Sequence, residues 1–159
     1  MGTPLDLGVC QVHLPRGWSA EPGDHPPEVL AVLSRPDRHG PPTGRVVLTA
    51  LTAPPGGDGQ TAARALAEGA ASRAAERGDD LLSLEPLTLA GRPGCRLRTR
   101  GKVHQITTYF AVAGRTAYMI SCRTRLSGLP GLERECTDLV DSFALPELDT
   151  PPTARGQTR

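Results

Sequence analysis

The segment spanning residues 95–125 constrains the fold more than any other part of the chain. Cys95, Leu97 and Thr99 alternate with Arg96, Arg98 and Arg100; residues 105–112 alternate around Ile106, Thr108 and Phe110; and residues 117–125 run back after Ala113-Gly114-Arg115-Thr116. Period-two alternation sends successive side chains to opposite faces of a strand. Connections this short join antiparallel neighbours. Three strands in a meander are therefore predicted, and the rest of the fold must be built around an antiparallel sheet.

Upstream, residues 9–14 alternate and are closed by Pro15-Arg16-Gly17, which predicts a strand and a turn, with Trp18 placed over an edge of the core. Residues 21–27 and 36–44 are Pro/Gly-rich and read as loops. Between and after them, residues 29–34 and 45–52 read as strands, the second rich in β-branched side chains that pack well on a pleated surface. After a break at 54–59 the pattern changes period. Ala63, Leu66, Ala67, Ala70 and Ala74 recur at three- and four-residue spacing, predicting a helix over 61–77 with a stripe small enough to lie close on a sheet, stopped by Gly78. A strand over 81–89, interrupted at Pro86, and a turn at Gly91-Arg92-Pro93-Gly94 lead into the meander. A last helix follows Pro130, its apolar face marked by Leu132, Cys136, Leu139, Val140 and Phe143. Residues 1–8 read as an N-terminal extension, 9–145 as a single domain, and 146–159, Pro/Thr/Arg-rich without apolar spacing, as a disordered tail. Helices packed on a hairpin-connected sheet make the fold class α+β.

The 159 residues suffice for one core, and with aromatics at only 3% that core is Leu, Val, Ala and Ile with Trp18, Tyr109, Phe110, Tyr118 and Phe143 as anchors. Eighteen basic against seventeen acidic residues give a net charge of +1, which exerts no global pull toward nucleic acid or an anionic membrane. The N-terminus has neither the basic nor the apolar region of a signal peptide, and no apolar run is long enough to span a bilayer; a cytoplasmic protein is expected. Cys10, Cys95, Cys122 and Cys136 lie far apart with no C-x-x-C pair. No metal or other cofactor is expected, and the thiols read as small buried residues.

Candidate chemistry is sparse. His13, His25, His39 and His104 are the available general bases, but no Gly-x-Ser-x-Gly elbow or H-E-x-x-H pair accompanies them. A hydrolase pairing His104 with Cys122 or Cys95 is conceivable. The alternation, however, puts both thiols with Leu97 and Ile120 on the apolar side, where a thiol is inert. Residues 56–61 precede a helix as phosphate loops do, yet lack the Lys-Ser/Thr pair; Asp58 or Thr61 as a helix cap accounts for them. The arginines carry more. Arg96, Arg98 and Arg100 share one strand face, and Arg123 and Arg125 share a face of a strand in the same meander. Should the register align them, five guanidinium groups would form a stripe able to bind carboxylates or phosphates, with Tyr109 nearby. The competing reading is a solvated face neutralised by Glu and Asp from a helix. Too few aromatics interleave with the stripe for nucleic-acid binding.

Several ordered segments resemble the superfamily of PsbP-like, DcrB-like and Ran-binding Mog proteins, most nearly its actinobacterial LpqN/LpqT group. Leu14-Pro15-Arg16-Gly17-Trp18 is similar to its apolar-Pro-x-Gly-Trp opening. Residues 45–49 precede its first long helix, residues 87–97 resemble its strand, Gly-x-Pro-Gly/Ala, strand step, and residues 105–110 and 117–122 resemble its paired late strands. Residues 136–143 resemble its terminal helix ending in Ser-Phe. The resemblance implies a central antiparallel sheet of about six strands sandwiched by helices. It also implies a non-enzymatic role, since these proteins are mostly adaptors, assembly factors and secretion chaperones, and no catalytic set carries over. LpqN/LpqT members are usually exported lipoproteins, but here Cys10 follows no apolar region, so a lipid anchor does not carry over. The expectation is a protein-binding module, an adaptor or secretion-type chaperone, contacting a partner polypeptide or secreted cargo through Arg96, Arg98, Arg100, Tyr109, Arg123 and Arg125. The alternatives are a small-molecule binder or hydrolase using a Cys/His pair, and an extracytoplasmic LpqN-like protein whose leader lies outside this sequence.

Overall fold

The meander forms the middle of a seven-stranded antiparallel sheet in the computed structural model, which describes residues 2–37, 40–54 and 58–145. Its strands are β3 (Ser19–Ala20), β4 (Val29–Asp37), β5 (Gly40–Thr52), β6 (Asp80–Leu89), β7 (Arg92–Arg100), β8 (His104–Ala113) and β9 (Thr116–Arg125), in the order β3-β4-β5-β9-β8-β7-β6. A separate hairpin joins β1 (Thr3–Asp6) to β2 (Gln11–Leu14). The β8–β9 turn is the two-residue one expected, with Gly114 at φ 61, where a side chain would be strained.

Two helices cover opposite faces. Helix α1 (Gly59–Glu76) lies on β6, β7 and β8, and its buried residues Ala62, Ala63, Ala67 and Ala74 are small enough for the close approach the alanine stripe predicted. Ala63 and Ala67 meet Cys95, Leu97 and Phe110, whose ring is the largest side chain buried in that layer. Asp58 caps the helix, accepting the Thr61 N–H at 2.7 Å, which holds its carboxyl below the usual range. Helix α2 (Leu129–Asp141), entered through a short 3₁₀ turn at Leu126–Gly128, packs on the other face with the β1–β2 hairpin. Leu132, Cys136, Leu139 and Val140, with Phe143 just beyond the helix, are all buried as the stripe predicted, the last four of these in the larger core with Trp18, Leu33, Val46, Leu48 and Ile120.

Four readings need correction. Residues 1–8 are not merely an extension, because Thr3–Asp6 pairs with β2; alternation could not reveal a strand of Thr, Pro, Leu and Asp that exists only through its partner. The segment 36–44 is not a loop throughout: β4 runs on to Asp37 and β5 starts at Gly40. Pro36 and Pro42 fall where this hairpin overshoots its neighbours, since β3 pairs only with Leu33 and Ser34, and β9 reaches β5 only from Gly44 onward. A missing N–H costs little there. The turn placed at residues 91–94 is instead Ala90-Gly91, both with positive φ, and Arg92 to Gly94 are strand. Pro86 does not break β6, because β6 is an edge strand, although a register shift between Leu81 and Ser83 bulges it at Leu82. The tail at 146–159 lies outside the described residues.

Gly94 is the tightest point of the meander. A Cβ there would run into the carbonyl oxygen of Phe110, which is backbone and cannot turn aside. Gly94→Ala is expected to cost about 1–3 kcal/mol, as overpacking does, and to lower the thermal midpoint by about 2–12 °C. A variant melting with the wild type would show that β7 has room to shift.

Candidate functional site

The cross-strand register decides what the arginines can do together. Arg96, Arg98 and Arg100 stand opposite Tyr109, Thr107 and Gln105 on β8. Those three in turn stand opposite Ile120, Cys122 and Thr124 on β9. All of these point to the α2 side. Arg123 and Arg125 stand opposite Ile106 and His104 and point to the α1 side. The five guanidinium groups therefore do not form one stripe; a strand's two faces separate Arg123 and Arg125 from the other three. Tyr109 goes with the first group.

On the α2 side Arg96 and Arg98 are neutralised and Arg100 is held by an amide. Arg98 donates to Glu133 of α2 at 3.0 Å, and the amide of Gln105, 1% exposed, donates to the same carboxylate oxygen. Arg100 donates to Gln105 Oε1 at 2.9 Å. Arg96 donates to Glu85 of β6 through Nε, at 3.0 Å, and through Nη2, and this pairing holds the Glu85 carboxyl below the usual range. Burial raises the pKa of the Tyr109 hydroxyl, against the lowering effect of the Arg96 charge. The space left between α2 and the sheet is a cleft of about 130 Å³ walled by Arg96, Arg98, Tyr109, Cys122, Glu133 and Cys136. This is the neutralised face weighed from the sequence, with one difference: Glu85 comes from a strand.

On the α1 side the arrangement is open. Helix α1 lies mainly over β6, β7 and β8, and toward β5 and β9 Val47, Thr49, Met119 and Ser121 are half-buried, and Arg45, Leu51 and Arg123 are exposed. At the Arg45/Arg123 end of this region lies a groove of about 720 Å³, lined by Glu21, Arg45, Val103, His104, Arg123 and Arg125 with Pro42 and Ser127. Arg45 of β5 stands directly opposite Arg123 of β9. Like charges facing across a ladder destabilise a sheet. Arg45 is clamped by Glu21, with Nε on Oε2 and Nη2 on Oε1, both at 3.1 Å. Arg125 stands 4.0 Å from Asp37. Arg123 has no ion pair or hydrogen bond among the described residues. His104 has its pKa lowered by burial and by the charges of Arg123 and Arg125. The folded state thus resists its protonation, and its stabilising contribution is lost as pH falls through the histidine range. Arg123→Gln is expected to move the His104 pKa upward in an NMR titration; an unchanged value would mean that burial and Arg125 set it.

Arg45 and Glu21 were missed from sequence. Arg45 alternates with Val47 and Thr49, which was visible, but its juxtaposition with Arg123 depends on a pairing between distant strands that alternation does not encode.

The Cys/His pair is not assembled. Cys122 faces α2, where the neighbouring Cys136 and burial raise its pKa. The sequence reading placed Cys95 and Cys122 on one side; the register places Cys95 on the α1 face instead, opposite Phe110, whereas His104 lies at the far end of the same strand opposite Arg125. Burial also raises the Cys95 pKa, and burial with Asp6 pushes Cys10 up to about 11. All four cysteines are buried free thiols. Among the described residues no group of three or more His, Cys, Asp or Glu is placed to hold a metal, and no helix is long and apolar enough to cross a membrane.

No family model matches the sequence, and no curated protein does. Solved structures match over nearly the whole chain. The yeast Ran-binding protein Mog1p superposes with a TM-score of 0.65 at 13% identity, covering 93% of this chain and 98% of its own. Cyanobacterial PsbP from Synechocystis gives 0.64 at 14% identity, covering 86% of each chain. LpqN of Mycobacterium tuberculosis, described as involved in cell envelope biogenesis, gives 0.58 at 13% identity, covering 91% and 90%. The chain has the PsbP-like/Mog fold. At these identities the likeness establishes the architecture, an antiparallel sheet between helices, and the groove over β5 and β9 belongs to this chain's own side chains.

Proposed function

We propose that the protein is a non-enzymatic binding module, an adaptor or secretion-type chaperone, that receives a partner polypeptide on the α1 side of its sheet. The observation that carries this reading is the facing pair Arg45 and Arg123 on an open part of a rigid sheet. An arrangement that weakens the ladder is expected where it serves a ligand. The name of the Ran-binding protein Mog1p, which shares the fold, supports a protein partner. Arg123 and Arg125 are the contact residues in this reading. Arg96, Arg98, Arg100 and Tyr109 bind α2 and β6 to the sheet and act on the partner only by keeping the platform in shape. The proposed setting is the cytoplasm, with which four unpaired buried thiols agree.

Affinity capture with the full chain tests this. Arg123→Glu is expected to lose the partners that the wild type retains, with a thermal midpoint close to that of the wild type, as befits an exposed site. Arg98→Glu is expected to lower the midpoint. If Arg123→Glu captured the same set of proteins, the α1-side assignment would be wrong.

A further inference from the structure

The groove already holds one anion of its own. Glu21 presents a carboxylate edge-on to Arg45, accepting one bond from Nε and one from Nη2, the paired geometry that a guanidinium offers to carboxylates. Across the ladder Arg123 offers the same fork and has no carboxylate to fill it among the described residues, while Arg125 beside it stands 4.0 Å from Asp37. Val103, 58% exposed, forms an apolar lip.

We propose that the ligand of this groove is an acidic, extended segment of a protein, whose carboxylates pair with Arg123 and, by displacing Glu21, with Arg45. This rests on the binding-module reading above. Glu21 then acts as an internal competitor that occupies part of the site until a ligand with more than one carboxylate arrives. Other polyanions fit less well. The side chains Trp18, Tyr109, Phe110, Tyr118 and Phe143 are all buried, so no Trp, Tyr or Phe ring is available to stack on a base. Three arginines in a groove with a glutamate among them also make a weak track for a phosphate backbone.

The test is fluorescence anisotropy on the full chain at low salt, with a labelled peptide in which glutamate alternates with threonine and a second peptide with glutamine in place of each glutamate. The glutamate peptide is expected to bind at least about tenfold more tightly than the glutamine peptide, in line with charge-assisted bonds worth about 1.5–3 kcal/mol. Its affinity should fall with added salt. Arg123→Gln should weaken it about tenfold, and Glu21→Gln should strengthen it several-fold by freeing Arg45. Circular dichroism confirms that both variants are folded.

Equal affinity for the two peptides, or binding to neither, would overturn the proposal. So would inorganic phosphate competing as well as the peptide, which would mark a simple anion site. Tighter binding to oligo-dT or to vesicles of equimolar phosphatidylglycerol and phosphatidylcholine would overturn it in favour of those ligands. If partners captured by the wild type are lost in Arg123→Glu while the glutamate peptide does not bind, the binding-module reading stands and only the acidic-ligand inference falls.

Discussion

Phe110→Ala is expected to destabilise the protein by about 3–5 kcal/mol, the range for deleting a buried phenylalanine. Phe110 is 1% exposed and is the largest side chain in the layer between α1 and the sheet. Helix α1 brings Ala63 and Ala67 to that layer, and alanines have no length with which to close a void. The loss should therefore lie toward the upper end of the range and appear in urea melts as a lower midpoint with an unchanged slope. Phe110→Leu, which keeps most of the volume, should cost clearly less. A loss of under 1 kcal/mol for the alanine variant would mean that α1 is held by something other than this ring.

Glu133→Ala is the second large effect, for an electrostatic reason. One carboxylate accepts from both Arg98 and the buried Gln105, and Gln105 accepts from Arg100. Removing it leaves a buried amide and a guanidinium without their acceptor, a penalty of about 1–3 kcal/mol. Glu133→Gln keeps an acceptor and should fall between the alanine variant and the wild type. Combining Glu133→Ala with Arg98→Met removes the orphaned cation and should recover part of the loss, and the double-mutant cycle reads the coupling directly. Strict additivity would show that the two residues do not share a network.

Local periodicity made the meander, the alanine face of α1 and the apolar face of α2 legible, because strands and helices with one covered face record that face in the spacing of their side chains. Pairing was not legible. Thr3–Asp6 has no pattern of its own and becomes a strand through β2. The prolines of the β4–β5 hairpin look like loop residues until the neighbouring strands are seen to stop short of them. The arginines make the same point at the candidate site. Alternation grouped Arg96, Arg98 and Arg100 correctly, and Arg123 with Arg125, but the relative phase of two strands is set by the register of the hairpin between them. Once that register is known, Arg98 is seen to tie α2 to the sheet and Arg96 to pair with β6, while the smaller group joins Arg45.

The rim strand β6 bears on how this protein meets others. Its bulge at Leu82 interrupts the regular repeat of backbone groups, and Pro86 removes one donor from it, while Leu81 and Leu82 are left in solvent. An incoming chain finds no even row of amides to zip onto at this end, so continuing the sheet from one molecule into the next is disfavoured. The protein can thus keep greasy side chains at its border without inviting fibrous growth.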